Sequence, residues 1–481
     1  MIEDNFLPDG FKAMIADSLG SQTAEVLLPA LNTEPDTAIR ININKSPIFQ
    51  FYDRMTEVPW CPSAFYLDER PRFTSNPLLH AGVFYVQDAS STVYETIVRS
   101  LFRDAPVKTA DLCAAPGGKT TAILNALPEG SVVLANEFVP ARANILRENL
   151  CKYGYPDVVV TNTDTSRLAS MRGYFDLVTI DAPCSGEGMM RKEDVARTQW
   201  SEGLIRQCAT LQREIIDNAV GMLAPGGYLI YSTCTFNTSE DEDNAAYIAE
   251  THGLTPVVTG LAGRFGIQHQ AKGDIPCLRF MPGFTRGEGL FVAVFQKSMH
   301  NADSMHNADS MHNAQCTMHN AGLLKGKKGK GKKNDNRAKS KIDSGLLSTA
   351  RSWVDGDFEI RQHNDTLLAL SPLTADLLSH IPKDVRIMSA GVEVGEIKGK
   401  DLVPSHSLAM STVFAQTFPE VELSEEDALC YLSRETITLP LDTPRGYVTL
   451  SYRGFPLGFV KNLGNRSNNL YPNEYRIRSL V

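Results

Sequence analysis

Nowhere do the chain's 481 residues hold an apolar run long enough to span a membrane, which takes roughly 18 residues. The longest are short strand-like pieces such as Leu290–Phe295. The opening residues, Met1-Ile2-Glu3-Asp4-Asn5, carry neither the basic start nor the apolar core of a secretory signal, so a cytoplasmic protein with no membrane partner is expected. Cys-x-x-Cys is absent, and the nine cysteines are scattered and odd in number. That pattern argues against a disulfide scaffold or a zinc knuckle, so no metal site is expected and a reducing compartment is. Positive charge is in deficit too, with 47 Lys and Arg against 56 Asp and Glu and a net charge of −9. The segment Lys325–Lys341 alone carries +8, which leaves −17 for the rest. A global field of that sign repels phosphate, so any grip on nucleic acid must come from local patches.

What remains is an ordinary globular composition, 42% hydrophobic and 21% charged, long enough for several domains. The first hundred residues mix β-prone runs (Ala38–Ile43) with a Pro- and aromatic-rich stretch from Pro59 to Pro77. From Val107 the pattern alternates. Strands are predicted at Thr109–Cys113, Val132–Asn136, Val158–Thr161, Phe175–Asp181 and Gly227–Ser232, with helices at Lys119–Ala126, Arg142–Lys152 and Leu204–Met222. This is the rhythm of a doubly wound parallel sheet, an α/β fold. Leu278–Met281 and Leu290–Phe295 read as a closing antiparallel pair. After Lys297 a six-residue unit, Ser298-Met-His-Asn-Ala-Asp303, repeats and then degenerates to about Asn320, followed by a Gly/Lys tract. Nothing in that stretch packs a core, so an unstructured linker is the expectation rather than a histidine metal tract. Globular composition returns near Gly345, with β-prone runs such as Tyr447–Leu450 and Leu457–Val460. The expected organisation is a region over 1–105, a catalytic domain over 106–297, a linker over 298–345 and a C-terminal domain over 346–481.

The turn Asp111-Leu-Cys113-Ala114-Ala115-Pro116-Gly117-Gly118-Lys119-Thr120 leads from strand to helix through small residues. Small side chains admit a ligand to the backbone, and a helix N-terminus offers N–H groups. A P-loop ATPase would need glycine where Cys113 stands, and Pro116 removes an amide that would cradle phosphate. Glu137 ends the next strand, where doubly wound folds place an acid on ribose hydroxyls. Asp164 follows the third strand, near where an adenine edge would lie. Either acid alone is also a common helix cap.

Two cysteines carry the chemistry. Cys184 lies in Asp181-Ala-Pro-Cys184-Ser-Gly-Glu-Gly188 and Cys234 in Tyr231-Ser-Thr-Cys234-Thr235, each just after a strand-like run. The carboxyl ends of such strands face the ligand crevice. Two thiols and a carboxylate there suit covalent chemistry on an electrophilic ring, while the bland alternative for a free cysteine is a small buried hydrophobe. That reading is kept for Cys61, Cys151, Cys208, Cys277, Cys316 and Cys430.

With these residues the chain resembles the NOL1/NOP2/Sun family of S-adenosylmethionine-dependent RNA cytosine-C5 methyltransferases. Further matching stretches are Tyr85-Val-Gln-Asp-Ala-Ser-Ser91 and Arg286-Gly-Glu-Gly-Leu-Phe291, and the likeness runs over roughly residues 35–297. Beyond the linker, Gly458-Phe-Val-Lys461 and Asn469-Leu-Tyr-Pro472 resemble the C-terminal PUA-like part of the RsmF-like branch, which modifies 16S ribosomal RNA. The resemblance implies a Rossmann-like core between an N-terminal α+β RNA-binding region and a C-terminal PUA-like RNA-binding domain. It implies Cys234 as nucleophile, Asp181 at cytosine N3 and Cys184 in product release. DNA cytosine methyltransferases instead use the cysteine of a Pro-Cys pair, so the motifs by themselves leave the two thiols interchangeable. It implies S-adenosylmethionine held by Cys113, Ala114, Ala115, Pro116, Gly117, Gly118, Lys119, Glu137, Asp164 and Asp181. Lys119 would lie by the cofactor or the base, or be a solvated helix lysine. Arg191 and Lys192 are candidates for RNA phosphates or for a surface charge pair. The implied partner is 16S ribosomal RNA or the small subunit, with no DNA, acted on by a monomer. The competing reading is a non-catalytic RNA-binding or ribosome-assembly factor that keeps the fold.

Overall fold

The computed structural model describes residues 7–46, 54–299 and 343–478. Nearly all of the His-rich repeat and the whole Gly/Lys tract lie outside the described residues. The central sheet runs in the order Thr255–Pro256, Leu290–Gln296, Leu223–Thr233, Phe175–Asp181, Lys108–Asp111, Val132–Asn136, Val158–Asn162, Arg386–Ala390. The five strands from Leu223–Thr233 through Val158–Asn162 pair in parallel. The strand Leu290–Gln296 closes one side antiparallel, itself paired with Cys277–Phe280. Strand order reverses between Lys108–Asp111 and Phe175–Asp181, so the switch-point crevice opens between the turns that follow these two strands.

Alternation along the strands divides the apolar residues between two faces. Val133 and Ala135 join a core with Tyr94, Ile97, Ile123 and Leu146, whereas Val132 and Leu134 face Ile215, Ile216 and Ala219. The helix Val93–Leu101 buries Val93, Tyr94, Ile97 and Val98 on one stripe. Helix Gly118–Ala126 is buried throughout from Thr120 to Ala126, which fixes the turn before it.

Upstream, a four-stranded sheet is ordered Met55–Val58, Cys61–Leu67, Thr37–Ile41, Phe84–Val86. The helices Asp9–Leu19 and Ser21–Ala30 pack their Phe11, Ile15 and Leu27 on Met190, Phe236 and Met281, residues of the segments that carry the two cysteines and their neighbour.

Downstream lie two further four-stranded sheets, one from Glu359–His363 to Asp401–Pro404, the other from Glu420–Glu422 to Ser467–Asn469. The second shares a core with the upstream sheet, in which Ile39, Phe65, Leu78 and Phe84 meet Tyr431, Leu450 and Tyr471. The strand Arg386–Ala390 crosses to the central sheet and pairs antiparallel with Val158–Asn162. That covers an edge which would otherwise present unpaired backbone groups. No local pattern announces this pairing, since its partner lies more than 200 residues away. Among the described residues no helix is long and apolar enough to cross a membrane.

Candidate active site

The turn Asp111–Gly118 and the loop Asp181–Gly188 leave neighbouring strands, joined by the Leu112 N–H donating to the Thr179 carbonyl at 3.0 Å. Gly117 sits at a φ of +112°, a backbone that side-chain-bearing residues rarely adopt. Asp111, 2% exposed, accepts from Thr120 Oγ1 at 2.6 Å and ties the turn to its helix. Burial raises the Asp111 carboxyl to about 6.

The Lys119 ammonium donates to Asp181 Oδ2 at 2.8 Å. Burial works against its charge, but the charge and hydrogen bond of Asp181 prevail and raise its pKa. Asp181 Oδ1 accepts from Ser232 Oγ at 2.7 Å, and Tyr94 OH lies 2.8 Å from the same hydroxyl. Asp181 is thus aligned from both sides, and Lys119, its side chain 16% exposed, is paired within the site rather than solvated.

The registers of Phe175–Asp181 and Leu223–Thr233 set Asp181 opposite Ser232, and the chain then turns at both ends to bring the thiols together. Cys184 Sγ and Cys234 Sγ are 3.1 Å apart, both as free thiols and both partly exposed. The contact depends on glycine. A Cβ on Gly188 would lie 2.7 Å from the Cys234 carbonyl, and one on Gly289 would lie 2.6 Å from the Phe236 ring. The Cys184 thiol is held well above the ordinary cysteine range, first by its hydrogen bond to Cys234 and then by burial. Cys234 follows the strand end directly.

Two buried carboxylates cross between the loops. Glu187 accepts from the backbone N–H of Phe236 at 2.7 Å and of Asn237 at 3.0 Å, and from Trp200 Nε1 at 3.1 Å. Glu240 accepts from Ser185 N at 3.0 Å, Ser185 Oγ at 2.5 Å and Gln212 Nε2 at 2.7 Å. The Asn237 amide reaches Glu187 at 3.1 Å and Glu240 at 2.8 Å. Sequence reasoning passed over Glu187, Glu240, Ser232 and Tyr94. The first three stand beside the cysteines in the chain, but their partners are set by which strands are neighbours.

The remaining cofactor candidates line the same end of the sheet. Cys113, Ala114, Ala115, Pro116, Gly117 and Gly118 form the first turn, and Ala114 N–H donates to the Asn136 carbonyl at 2.8 Å. Glu137, 3% exposed, accepts from Val139 N at 2.8 Å and lies 3.6 Å from Arg142. Asp164 is exposed and caps the short helix Thr165–Leu168 through Ser166 N at 2.9 Å. Arg191 departs from expectation. Its side chain is only 7% exposed, lies 3.6 Å from Glu288 and donates to Thr33 O and Oγ1, each at 3.0 Å. The Thr33 contacts pin the N-terminal segment to the Cys184 loop, so Arg191 is a tie between segments. Lys192 shares Glu288 at 3.4 Å. Among the described residues no group of three or more His, Cys, Asp or Glu is placed to hold a metal.

A parallel sheet with its ligand turn at the switch point, a buried acid closing the second strand and a paired dithiol crevice defines a Rossmann-like methyltransferase of the S-adenosylmethionine-dependent class, and comparison with known proteins agrees. Residues 105–296 match the model of the 16S rRNA methyltransferase RsmB/F family, residues 7–89 that of the N-terminal domain of 16S rRNA methyltransferase RsmF, and residues 418–477 that of the methyltransferase RsmF PUA domain. A ribosomal RNA small subunit methyltransferase F of Escherichia coli O139:H28 is 28% identical over 98% of this chain and 96% of its own. The protein of the same name from Enterobacter sp. strain 638 is 29% identical with the same coverage. Among solved structures, NSun6 from Pyrococcus horikoshii with the S-adenosylmethionine analogue SFG superposes at a TM-score of 0.52 and 19% identity, covering 60% of this chain and 98% of that one. A methyltransferase homologue from the same organism gives 0.50 and 21%, covering 60% and 100%. Along nearly its whole length the chain is therefore similar to the RsmF-like branch of the RsmB/F methyltransferases.

Proposed function

We propose that this protein methylates C5 of a cytosine in 16S ribosomal RNA through a covalent Cys234–C6 adduct, with Asp181 assisting at N3 and Cys184 assisting release. The observation that carries the reading is the pair of free thiols 3.1 Å apart beside an aspartate bonded on both oxygens. Relatives along the whole chain are named as ribosomal RNA small subunit methyltransferases, which supports the substrate.

Cytosine C5 is a weak nucleophile. A thiolate that bonds to C6 pushes the ring's π electrons toward N3 and leaves an enamine whose C5 attacks an electrophilic carbon. Charge gathers at N3 in this step, and the Lys119–Asp181 pair offers a proton and its acceptor within one hydrogen bond of each other. After transfer, solvent water takes the C5 proton, the C5–H electron pair re-forms the C5–C6 double bond, and the C6–S bond breaks with its electrons on the Cys234 sulfur. Cys184, its proton held by the raised pKa, stands in contact with that sulfur to protonate it as it leaves. The target base must be unpaired or turned out of its stack to reach the thiol.

The residues present suit the cofactor. Ala114, Ala115, Gly117 and Gly118 bare the backbone at the strand end, Glu137 offers a carboxylate for ribose hydroxyls, and the adjacent Phe138 ring is 65% exposed. When bound, S-adenosylmethionine supplies a methyl group on a sulfonium. The protein's part is to orient it, to exclude water and to hold the base over Cys234.

Purified protein given labelled S-adenosylmethionine with unmodified 16S RNA or small subunits tests this directly. Label in 5-methylcytosine is expected. RNA that binds without gaining label would instead favour a non-catalytic assembly factor, and label on another base would replace the proposed chemistry.

A further inference from the structure

We infer that Glu187 and Glu240 are positioning residues, a reciprocal clamp that sets the separation of the two thiols. This rests on the cytosine reading for its purpose but not for its geometry. Each carboxylate belongs to one cysteine's loop and binds the other's. Glu187 stands three residues after Cys184 and holds the backbone two and three residues after Cys234. Glu240 stands six residues after Cys234 and holds the residue directly after Cys184. Asn237 closes the figure by donating to both.

Both acids are fully buried, 0% exposed, and neither has a Lys, Arg or His within ion-pair distance among the described residues. A charge buried without a counter-ion is costly unless hydrogen bonds satisfy it. Here each carboxylate has at least four donors, two or more of them from the opposite loop. If the need were only to close two loops, apolar packing would serve at less cost. Directional bonds to fixed backbone N–H groups fix a distance as well, which apolar packing does less sharply. That distance is what addition by one thiol and release by the other demands.

The clamp also has an electrostatic consequence. The Glu240 charge disfavours a thiolate at Cys184, adding to the hydrogen bond from Cys234 and to burial in keeping that thiol protonated. The two loops therefore keep Cys184 as a proton carrier in contact with the Cys234 sulfur.

The test uses the full-length protein and phenylarsine oxide, which takes two thiols onto one arsenic with loss of one water and no change in oxidation state. The wild type should capture it through both sulfurs, and Cys184→Ser or Cys234→Ser should abolish that capture. Glu187→Gln and Glu240→Gln keep the shape but turn an amide donor toward an existing donor. Each is expected to weaken arsenical capture at least tenfold and to lower kcat by about a hundredfold, with KM for S-adenosylmethionine unchanged. Ser185→Ala, a milder change that removes one crossing bond, should move capture and kcat in the same direction by less. Folded Gln variants with wild-type arsenical capture and wild-type kcat would overturn the clamp. A wild type that captures the arsenical in a clamp-dependent way yet modifies no cytosine would support the clamp and overturn the reaction.

Discussion

Two buried carboxylate clusters hold the segment from Thr233 to Glu242, and they balance their charge differently. On one side Arg279 donates to Glu242 at 2.8 and 2.5 Å, lies 3.1 Å from Asp241 and reaches the Phe236 carbonyl at 3.1 Å. Asp241 in turn accepts from Thr233 Oγ1 at 2.5 Å and Thr235 Oγ1 at 2.9 Å, the residues on either side of Cys234. On the other side Glu187 and Glu240 use only amides, a hydroxyl and the Trp200 indole N–H. The first cluster carries its own cation and anchors the strand end. The second leaves its charge uncompensated next to the thiols. One therefore bears mainly on stability and the other mainly on chemistry.

Arg279→Met should do the most damage to the fold. It strands two buried acids, and breaking such a pair costs about 3–5 kcal/mol. Urea denaturation of the full chain reads this directly, and a loss under about 1 kcal/mol would place the cluster among the weak pairs. Asn237→Ala touches only the second cluster. It removes hydrogen bonds to two charged groups, each worth about 1.5–3 kcal/mol, so the chain should lose stability while its methyl transfer falls further than that loss explains. Equal losses at both clusters would erase the distinction. Ser232→Ala is the sharper probe, since it deletes one bond to Asp181. Stability should change by about 1 kcal/mol, whereas transfer should drop roughly tenfold through misaligned Asp181. A variant with unchanged kcat would detach Ser232 from the reaction.

The smallest effect at neutral pH is a titration away from both clusters. Burial lowers His80 to about 4 and His406 to about 3, below the ordinary histidine value. A histidine depressed in the folded state adds stability that is complete above about 6.5 and is lost as pH falls through the folded values. The chain should therefore weaken progressively from about pH 6.5 downward, a loss that His80→Gln should lessen. Asp111 acts with the opposite sign. Its raised carboxyl favours the fold below about 4, and that contribution disappears as pH rises through about 6.

The contrast between the clusters marks where sequence reading stops. The five parallel strands, the helices between them and the two thiol loops were legible, because strand periodicity and the Asp-Ala-Pro-Cys and Ser-Thr-Cys runs are local signals. Ser232 was quoted inside its motif yet passed over, because its task depends on lying opposite Asp181 in a neighbouring strand. Glu187 looks like any loop acid until Phe236 and Asn237 are brought to it. The burial of the Arg191 side chain was hidden for the same reason, since exposure is a tertiary property and a charged residue reads as surface by default. The strand Arg386–Ala390 has a modest β pattern, but nothing nearby tells that its partner is Val158–Asn162 across the linker.

The central claim is that Cys234, not Cys184, bonds to the base. Cys184→Ala protein incubated with S-adenosylmethionine and 16S RNA should accumulate a protein–RNA adduct, and after nuclease and protease digestion the nucleotide should map by mass to the peptide bearing Cys234. Recovery of an adduct from Cys234→Ala protein, with the nucleotide on Cys184, would contradict it.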